Sequence, residues 1–486
     1  MSDFARIKAH LFCTRLAAAL LLAAMLFRAG AAKAETATTT GTLPDGTAYR
    51  FDVPDPWNGI VLIGLDYAAG DRTEPSPQNA PYILLLKQGY ALGGTTRLKT
   101  GWAIQLAAAN AVATLDLFEA KYGKPKYAIE LGNSMGGHTA GVSAQAYPTR
   151  WNGAVANCGG LAGAVGQWQS KLDAMFVVKV LLAPDSNLPV IHIPKDFQSS
   201  AIPAWKAVFA EAEKTPAGRA RIALAATFGQ LPAWSAPPPD ADKVPEPAAG
   251  DLEGRVAGLD GSLADSLMPQ AMSSRSQIET LSGGNISSNV GVDYAALLSK
   301  LDPGGFIRKA YKQAGISLDD DLQKLARAPR FAADPAAIAY VATSVFDGDL
   351  KIPVLTMNSV GDPISAVASQ QFYGQAAHEA GKDNMLRQTY VHRVGHCGFS
   401  AEEVVAVVTT MKTRLDTGKW PDTSAAAMNQ LAHAPAGHPN KFIDFTPPAF
   451  QRKFTACDFT AMMKASGQQP VHLPDQQLPV CKRSSR

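Results

Sequence analysis

Between residues 59 and 157 short apolar runs alternate with helical periodicities, and this rhythm restricts the fold more than any other feature of the 486-residue chain. Residues 59–65 form an unbroken apolar run, the mark of a strand buried on both faces. Residues 81–87 then read as helical, 90–95 as extended, and 102–122 as a long Ala- and Leu-rich helix ended by Gly123. A strand over 127–131, a helix over 135–146 and a strand over 153–157 complete the series. Such an order predicts a parallel sheet with helices on both faces.

The rhythm lapses from about residue 161 to 350, where helical segments (203–213, 218–228) are separated by a Pro-rich connector at 231–249 and a Gly/Ser-rich one near 282–288. It resumes with a strand at 352–357, a helix at 366–380, a strand at 387–392 and a helix at 401–417. One sheet interrupted by a mainly helical insertion accounts for this better than two independent folds. Upstream, residues 42–53 read as a hairpin turning at Pro44-Asp45-Gly46. Downstream of residue 421 the chain is rich in Ala, Pro and polar residues and reads as a tail. The expected organisation is a leader (1–34), a first core part (35–160), an insertion (161–350), a second core part (351–420) and a C-terminal extension (421–486).

The leader is read from Arg6, Lys8 and Arg15 ahead of an apolar run at 16–27 and small residues ending Ala32-Lys33-Ala34, the layout of an export signal cleaved after Ala34. The run is too short to span a bilayer, and Cys13 precedes it, so no stable membrane anchor is expected. The protein is expected to be secreted or periplasmic. Removing the leader takes away Arg6, Lys8, Arg15, Arg28, Lys33 and Asp3, so a chain with 45 basic and 42 acidic residues, formally +3, becomes formally −1. Without a basic stripe, nucleic acid is not an expected partner.

Export places Cys158, Cys397, Cys457 and Cys481 in an oxidising compartment, where four cysteines permit three pairings. Joining Cys457 to Cys481 would restrain a tail segment with little core of its own, by about 3 kcal/mol in the chain-entropy model. Cys158 would then pair with Cys397. Four separate buried thiols are the alternative.

Gly132-Asn133-Ser134-Met135-Gly136 fits G-x-S-x-G between the 127–131 strand and the 135–146 helix. A serine on such a turn is held in a strained backbone that exposes its hydroxyl above the sheet, and the helix N-terminus favours negative charge beside it. The hydroxyl needs a base. Among the histidines His396 alone sits on a short loop after the last strand, in Gly395-His396-Cys397-Gly398, with His392 as its rival and His138 packed on the nucleophile helix. Asp362, in Val360-Gly361-Asp362-Pro363 after the 352–357 strand, lies at the correct sheet edge to orient that base.

The order Ser134, Asp362, His396 resembles that of the α/β-hydrolase superfamily, over roughly residues 50–160 and 350–420. Within it, Gly395-His396-Cys397-Gly398 and the later Gly418-Lys419-Trp420-Pro421 look like secreted tannase and feruloyl-esterase relatives. That resemblance implies a disulfide beside the catalytic histidine and a large lid insertion. The relatives carry the partner cysteine just before the nucleophile, where this chain has Asn133; Cys158 is the nearest candidate. Oxyanion-hole donors are expected from the amides of Met135 and, in the loop after the 59–65 strand, Tyr67; many relatives have His-Gly where this chain has Asp66-Tyr67. A carboxylate at Asp66 would oppose an oxyanion unless it points away or is paired.

No zinc helix, C-x-x-C, phosphate loop or dinucleotide fingerprint is present, so no metal and no cofactor are expected. Asn285-Ile286-Ser287 fits a glycosylation acceptor. The expected function is an exported serine hydrolase cleaving small-molecule or polymer carboxylic esters through an acyl-enzyme, with Trp168, Trp205, Trp234 and Phe176 of the lid either lining the acyl pocket or forming lid core. The alternatives are a serine peptidase of prolyl-oligopeptidase type, disfavoured because residues 35–58 leave no room for a propeller, and an inactive α/β-hydrolase scaffold that binds a ligand.

Overall fold

The computed structural model describes residues 36–236, 244–433 and 441–482; the expected leader and Cys13 lie outside the described residues. Among the described residues nine strands form one sheet in the order β1-β2-β4-β3-β5-β6-β7-β8-β9. They are β1 (Thr36–Thr42), β2 (Ala48–Pro54), β3 (Ile60–Leu65), β4 (Ala91–Thr95), β5 (Tyr127–Asn133), β6 (Gly153–Asn157), β7 (Val354–Gly361), β8 (Leu386–Val394) and β9 (Phe442–Ile443). From β4 through β8 all neighbours are parallel, while β1, β2 and β9 pair antiparallel at the edges.

The apolar run of β3 is buried on both faces, as its sequence requires. Val61 and Ile63 belong to the core layer on one face, which also takes side chains of α2 (Ile104–Tyr122), α3 (Met135–Ala146) and α13 (Ala368–Glu379). Ile60 and Leu62 face the other way, into the core layer that also takes side chains of α1 (Ala80–Lys87), α14 (Ala401–Thr417) and α15 (Ala425–Ala432). Each fully buried aliphatic or aromatic side chain contributes about 1.5–3 kcal/mol, so this two-sided packing fixes the sheet between its helix layers.

Between β6 and β7 the chain is helical: α4 (Gly163–Leu182), α5 (Ala201–Ala212), α6 (Pro216–Phe228), α7 (Leu252–Gly261), α8 (Met268–Ser282), α9 (Tyr294–Leu301), α10 (Phe306–Gln313), α11 (Leu318–Arg327) and α12 (Pro335–Tyr340). This segment has its own core, in which Trp205 and Phe176 are fully buried. The 421–486 region is more than a tail. It adds β9 to the sheet, places α15 on it, and packs Phe459 and Met463 of α16 (Ala456–Ser466) against α12. Its hydrophobic residues are too widely spaced for a local pattern to announce them.

One carboxyl group is buried in the sheet away from the site. Glu130 of β5 is 1% exposed, one of its oxygens has no hydrogen-bond partner among the described residues, and burial pushes it well above the usual carboxylate range, with Ser143 only partly opposing. The folded chain therefore keeps a proton that the unfolded chain loses above its ordinary value of 4.5. Stability from this group is full below that value and falls as pH rises toward the folded value, by up to about 1.4 kcal/mol per pH unit. Urea melts of Glu130→Gln from pH 4 to pH 8 should show a flatter slope than wild type; superimposable slopes would refute the assignment.

Candidate active site

Ser134, Asp362 and His396 all follow the C-terminal ends of parallel strands, β5, β7 and β8, which is where such sheets build sites. Ser134 has φ 58° and ψ −120° at the N-cap of α3, a region costly for a residue with a Cβ. Neighbouring glycines allow it. A Cβ on Gly132 would stand 2.1 Å from the Gly136 carbonyl oxygen, and one on Gly137 would stand 2.3 Å from that of Asn157. Gly136 itself has room, its nearest neighbour being Leu65 Cβ at 3.5 Å, so the close passage falls on Gly132 and Gly137 rather than on both motif glycines.

The three side chains meet. His396 Nε2 is 2.6 Å from Ser134 Oγ, and its Nδ1 is 2.8 Å and 3.0 Å from the two Asp362 oxygens. Asp362 is fully buried, and its Oδ1 also accepts from the Ile364 and Ser365 amides at 2.8 Å each. The histidine loop is anchored at both ends. Gly395 N donates to Gly361 O at 2.9 Å, and Arg393 pairs with Glu403, the buried N3 residue of the Ser400 capping box that starts α14.

The expected disulfides, Cys158–Cys397 and Cys457–Cys481, are both present. The first lies inside the site. The Ser134 amide donates to Asn157 O at 3.0 Å and lies 3.3 Å from Cys158 Sγ, while Cys397 Sγ lies 3.6 Å from His396 Nε2.

Met135, at the first position of α3, has an amide with no carbonyl one turn before it to accept its proton. In the facing turn Ala68 donates to Thr95 O and Ala69 to Asp66 O, whereas the Tyr67 amide takes no backbone acceptor among the described residues. Tyr67 is pinned by its ring: its hydroxyl donates to buried Asp52 at 2.6 Å, Arg50 holds the same carboxylate, and burial pushes the phenol up. Asp66 is paired, its Oδ2 accepting from Arg97 Nε at 2.8 Å and from Nη2. Sequence reasoning missed Arg97, because nothing in Thr96-Arg97-Leu98 marks it as facing a carboxylate 31 positions earlier.

Several sequence candidates lie elsewhere. His392 is exposed and contacts Glu246 at 2.7 Å and the Trp234 ring. His138 is buried, and burial with nearby Lys171 lowers it to about 4, so it is neutral at ordinary pH. Lys171 of α4 is itself buried, donating to Gln270 at 2.6 Å. Burial lowers it to about 7, with Asp362 opposing and Arg275 assisting. Trp205, Phe176 and Trp168 are fully enclosed, Trp168 with Lys171 and Arg275 over its ring and in edge-to-face contact with Trp102, so these rings act as core. The Asn285 sequon is buried and spent: its amide donates to Ser287 O and Ala332 O while Arg275 donates to its oxygen, which removes it as a glycosylation acceptor. Among the described residues no group of three His, Cys, Asp or Glu is placed to hold a metal, and no helix is long and apolar enough to cross a membrane.

Strand order and the serine turn define an α/β-hydrolase. No protein-family model matches the chain. A curated relative, the o-phthalyl amidase of Xanthobacter agilis, is 32% identical over 430 residues, covering 81% of this chain and 90% of its own length. The chain belongs to the o-phthalyl amidase family, and it is a hydrolase. Solved structures similar to it include feruloyl esterase B from Aspergillus oryzae, with 13% identity, a TM-score of 0.37 and coverage of 80% of this chain and 82% of that one. An esterase of Pyrococcus furiosus gives 11%, 0.34, 79% and 90%. The narrower likeness to tannases and feruloyl esterases drawn from residues 395–398 is not established by the family match, whose member is an amidase.

Proposed function

We propose that the protein is a serine hydrolase that cleaves carboxylic amides and esters through an acyl-enzyme. The observation that carries this reading is the 2.6 Å contact of Ser134 Oγ with a histidine whose far nitrogen is held by a buried carboxylate. Ser134 attacks the carbonyl carbon while His396 Nε2 takes its proton, and the C–N or C–O bond breaks as the imidazolium returns that proton to the leaving amine or alcohol. Water then repeats the sequence and releases the acid. Asp362 fixes the tautomer and stabilises the imidazolium, and the Met135 and Tyr67 amides receive the oxyanion.

Amide cleavage is added to the ester reading because the relative's name is that of an amidase, and the same groups serve both leaving atoms. An acyl group of o-phthalyl type, an aromatic acid with a second carboxyl beside the reacting one, is the first substrate class to try. Arg97 answers the one feature that favoured an inactive scaffold, since it neutralises Asp66.

Residues 161–350 serve as the cover that shapes the pocket; in support, Trp102, beyond the end of β4, meets Trp168 of α4 edge-on, with ring centroids 6.2 Å apart. Export is part of the proposal, supported by two disulfides, and the partners are substrates rather than nucleic acid or membrane.

Purified residues 35–486 should be labelled by a fluorophosphonate on Ser134 and should release p-nitroaniline from its phthalic acid monoamide, or p-nitrophenol from p-nitrophenyl acetate. A folded protein that refuses the label and hydrolyses none of these would refute the reading.

A further inference from the structure

Arg97 sits two residues beyond the end of β4, on the lip of the turn that carries Asp66 and Tyr67. Its Nε and Nη2 both donate to Asp66 Oδ2, and its Nη1 is 3.9 Å from the thioether sulfur of Met135. A guanidinium has five N–H groups; Asp66 takes two and a thioether is a weak acceptor, so N–H groups on Nη1 and Nη2 remain for another anion. The Arg97 side chain is 43% exposed and that of Asp66 27%. A pair this exposed adds little to stability, so folding gives no strong reason for it.

Its neighbour Arg72 makes the contrast. Arg72 gives its donors to the Tyr67 carbonyl at 2.9 Å, the Asp66 carbonyl and Asn79 at 3.2 Å, and lies over the Tyr82 ring. That arginine builds the turn. Arg97 rests instead on the side chain of Met135, the residue whose amide is placed to receive the oxyanion.

We propose that Arg97 reads a carboxylate carried by the substrate next to its scissile carbonyl, with Asp66 fixing the guanidinium plane. The proposal rests on the serine-hydrolase reading above and adds to it the residue that would select the substrate, monoamides or monoesters of vicinal dicarboxylic acids, aromatic ones first. On such an acyl group the second carboxylate and the carbonyl oxygen stand on adjacent carbons. As that oxygen gains charge in the transition state, the two anions repel, and a cation at their flank matters more there than in the bound substrate. Arg97 therefore acts on kcat as well as on KM.

The test compares kcat/KM for the p-nitroanilide of phthalic acid with that for the p-nitroanilide of benzoic acid, in wild type, Arg97→Ala, Arg97→Lys and Asp66→Asn/Arg97→Ala. Protection of Ser134 from the fluorophosphonate by free phthalate is followed in parallel. The carboxylate preference should fall about tenfold to hundredfold in Arg97→Ala, as expected for losing a charge-assisted hydrogen bond, and Arg97→Lys should restore part of it. The double variant should stay low, because restoring neutrality at Asp66 does not restore the missing cation. Phthalate should protect wild type and not Arg97→Ala.

An unchanged preference across all four proteins would overturn the proposal and leave Arg97 as a neutraliser of Asp66. If wild type is labelled but turns over neither anilide, phthalate protection decides: protection lost with Arg97 supports the proposal, and equal or absent protection overturns it. Failure of wild type to label at all strikes the serine reading itself, which keeps the two failures distinct.

Discussion

Ser134→Ala and His396→Ala are each expected to lower kcat by about 10⁴-fold or more, and the double variant to be little worse than either alone. The non-additivity is the informative part. Ser134 Oγ and His396 Nε2 are 2.6 Å apart and on the proposed mechanism exchange one proton, so removing either would leave the other with nothing to do. On the proposed mechanism, residual turnover would come from the Met135 and Tyr67 amides and from binding. Asp362→Asn should cost about 10³- to 10⁴-fold by a different route, since an amide in place of the carboxylate favours the wrong imidazole tautomer. Its packing should survive, because the remaining side-chain oxygen can still accept from Ile364 and Ser365. Steady-state rates of the four proteins, beside fluorophosphonate labelling of Asp362→Asn, make the check. Independent, multiplying losses at Ser134 and His396 would exclude a shared proton and with it the triad.

The sheet, and the meeting of Ser134, Asp362 and His396 at its edge, were legible because both depend on short-range signals. Two-sided burial writes β3 as a continuous apolar run, and the G-x-S-x-G turn carries its strand and helix within about twenty residues. His396 and Asp362 could be chosen by asking which candidates follow a strand, a question local sequence answers. The disulfide partner of Cys397 was one of several pairings open in the sequence, and the structure has it at Cys158, just beyond the end of β6.

What the sequence hid depends on distance in the chain. Phe442 joins the sheet edge through Val391, and nothing near residue 442 signals a strand of two residues. Trp168 and Phe176 read equally as pocket or core until burial decides for core. The Asp66–Arg97 pair was invisible in the same way, although electrostatics alone required that Asp66 either point away or be paired. A single conspicuous carboxylate beside an oxyanion is a signal that a cation should be sought on the neighbouring strand ends.

Replacing both Cys158 and Cys397 by serine should lower kcat by about 10²-fold, whereas the same change at Cys457 and Cys481 should lower stability and leave the rate nearly alone. Both bridges limit the unfolded chain. Their sequence separations of 239 and 24 correspond to about 5 and 3 kcal/mol in the chain-entropy model. Only the first touches the reacting groups. Cys158 Sγ lies against the Ser134 amide, Cys397 Sγ lies against His396 Nε2, and both cysteines hold left-handed backbones, φ 43° and 54°. Such conformations cost free energy at residues other than glycine and persist where the surroundings impose them. Without the bond the loop retains its Gly395–Gly361 hydrogen bond and the Arg393–Glu403 pair, so His396 should remain near the site but lose its fixed distance to Ser134. A displacement of about 1 Å is enough for a loss of that size. Serine at position 158 keeps an oxygen acceptor near the Ser134 amide, which makes the variant a test of the tether rather than of that contact. Rates measured well below each variant's unfolding midpoint separate the two effects. Equal activity in the Cys158/Cys397 variant and wild type would show that the histidine loop is positioned by β8 and α14 alone, and that the bridge inside the site is a staple like the one at the C-terminus.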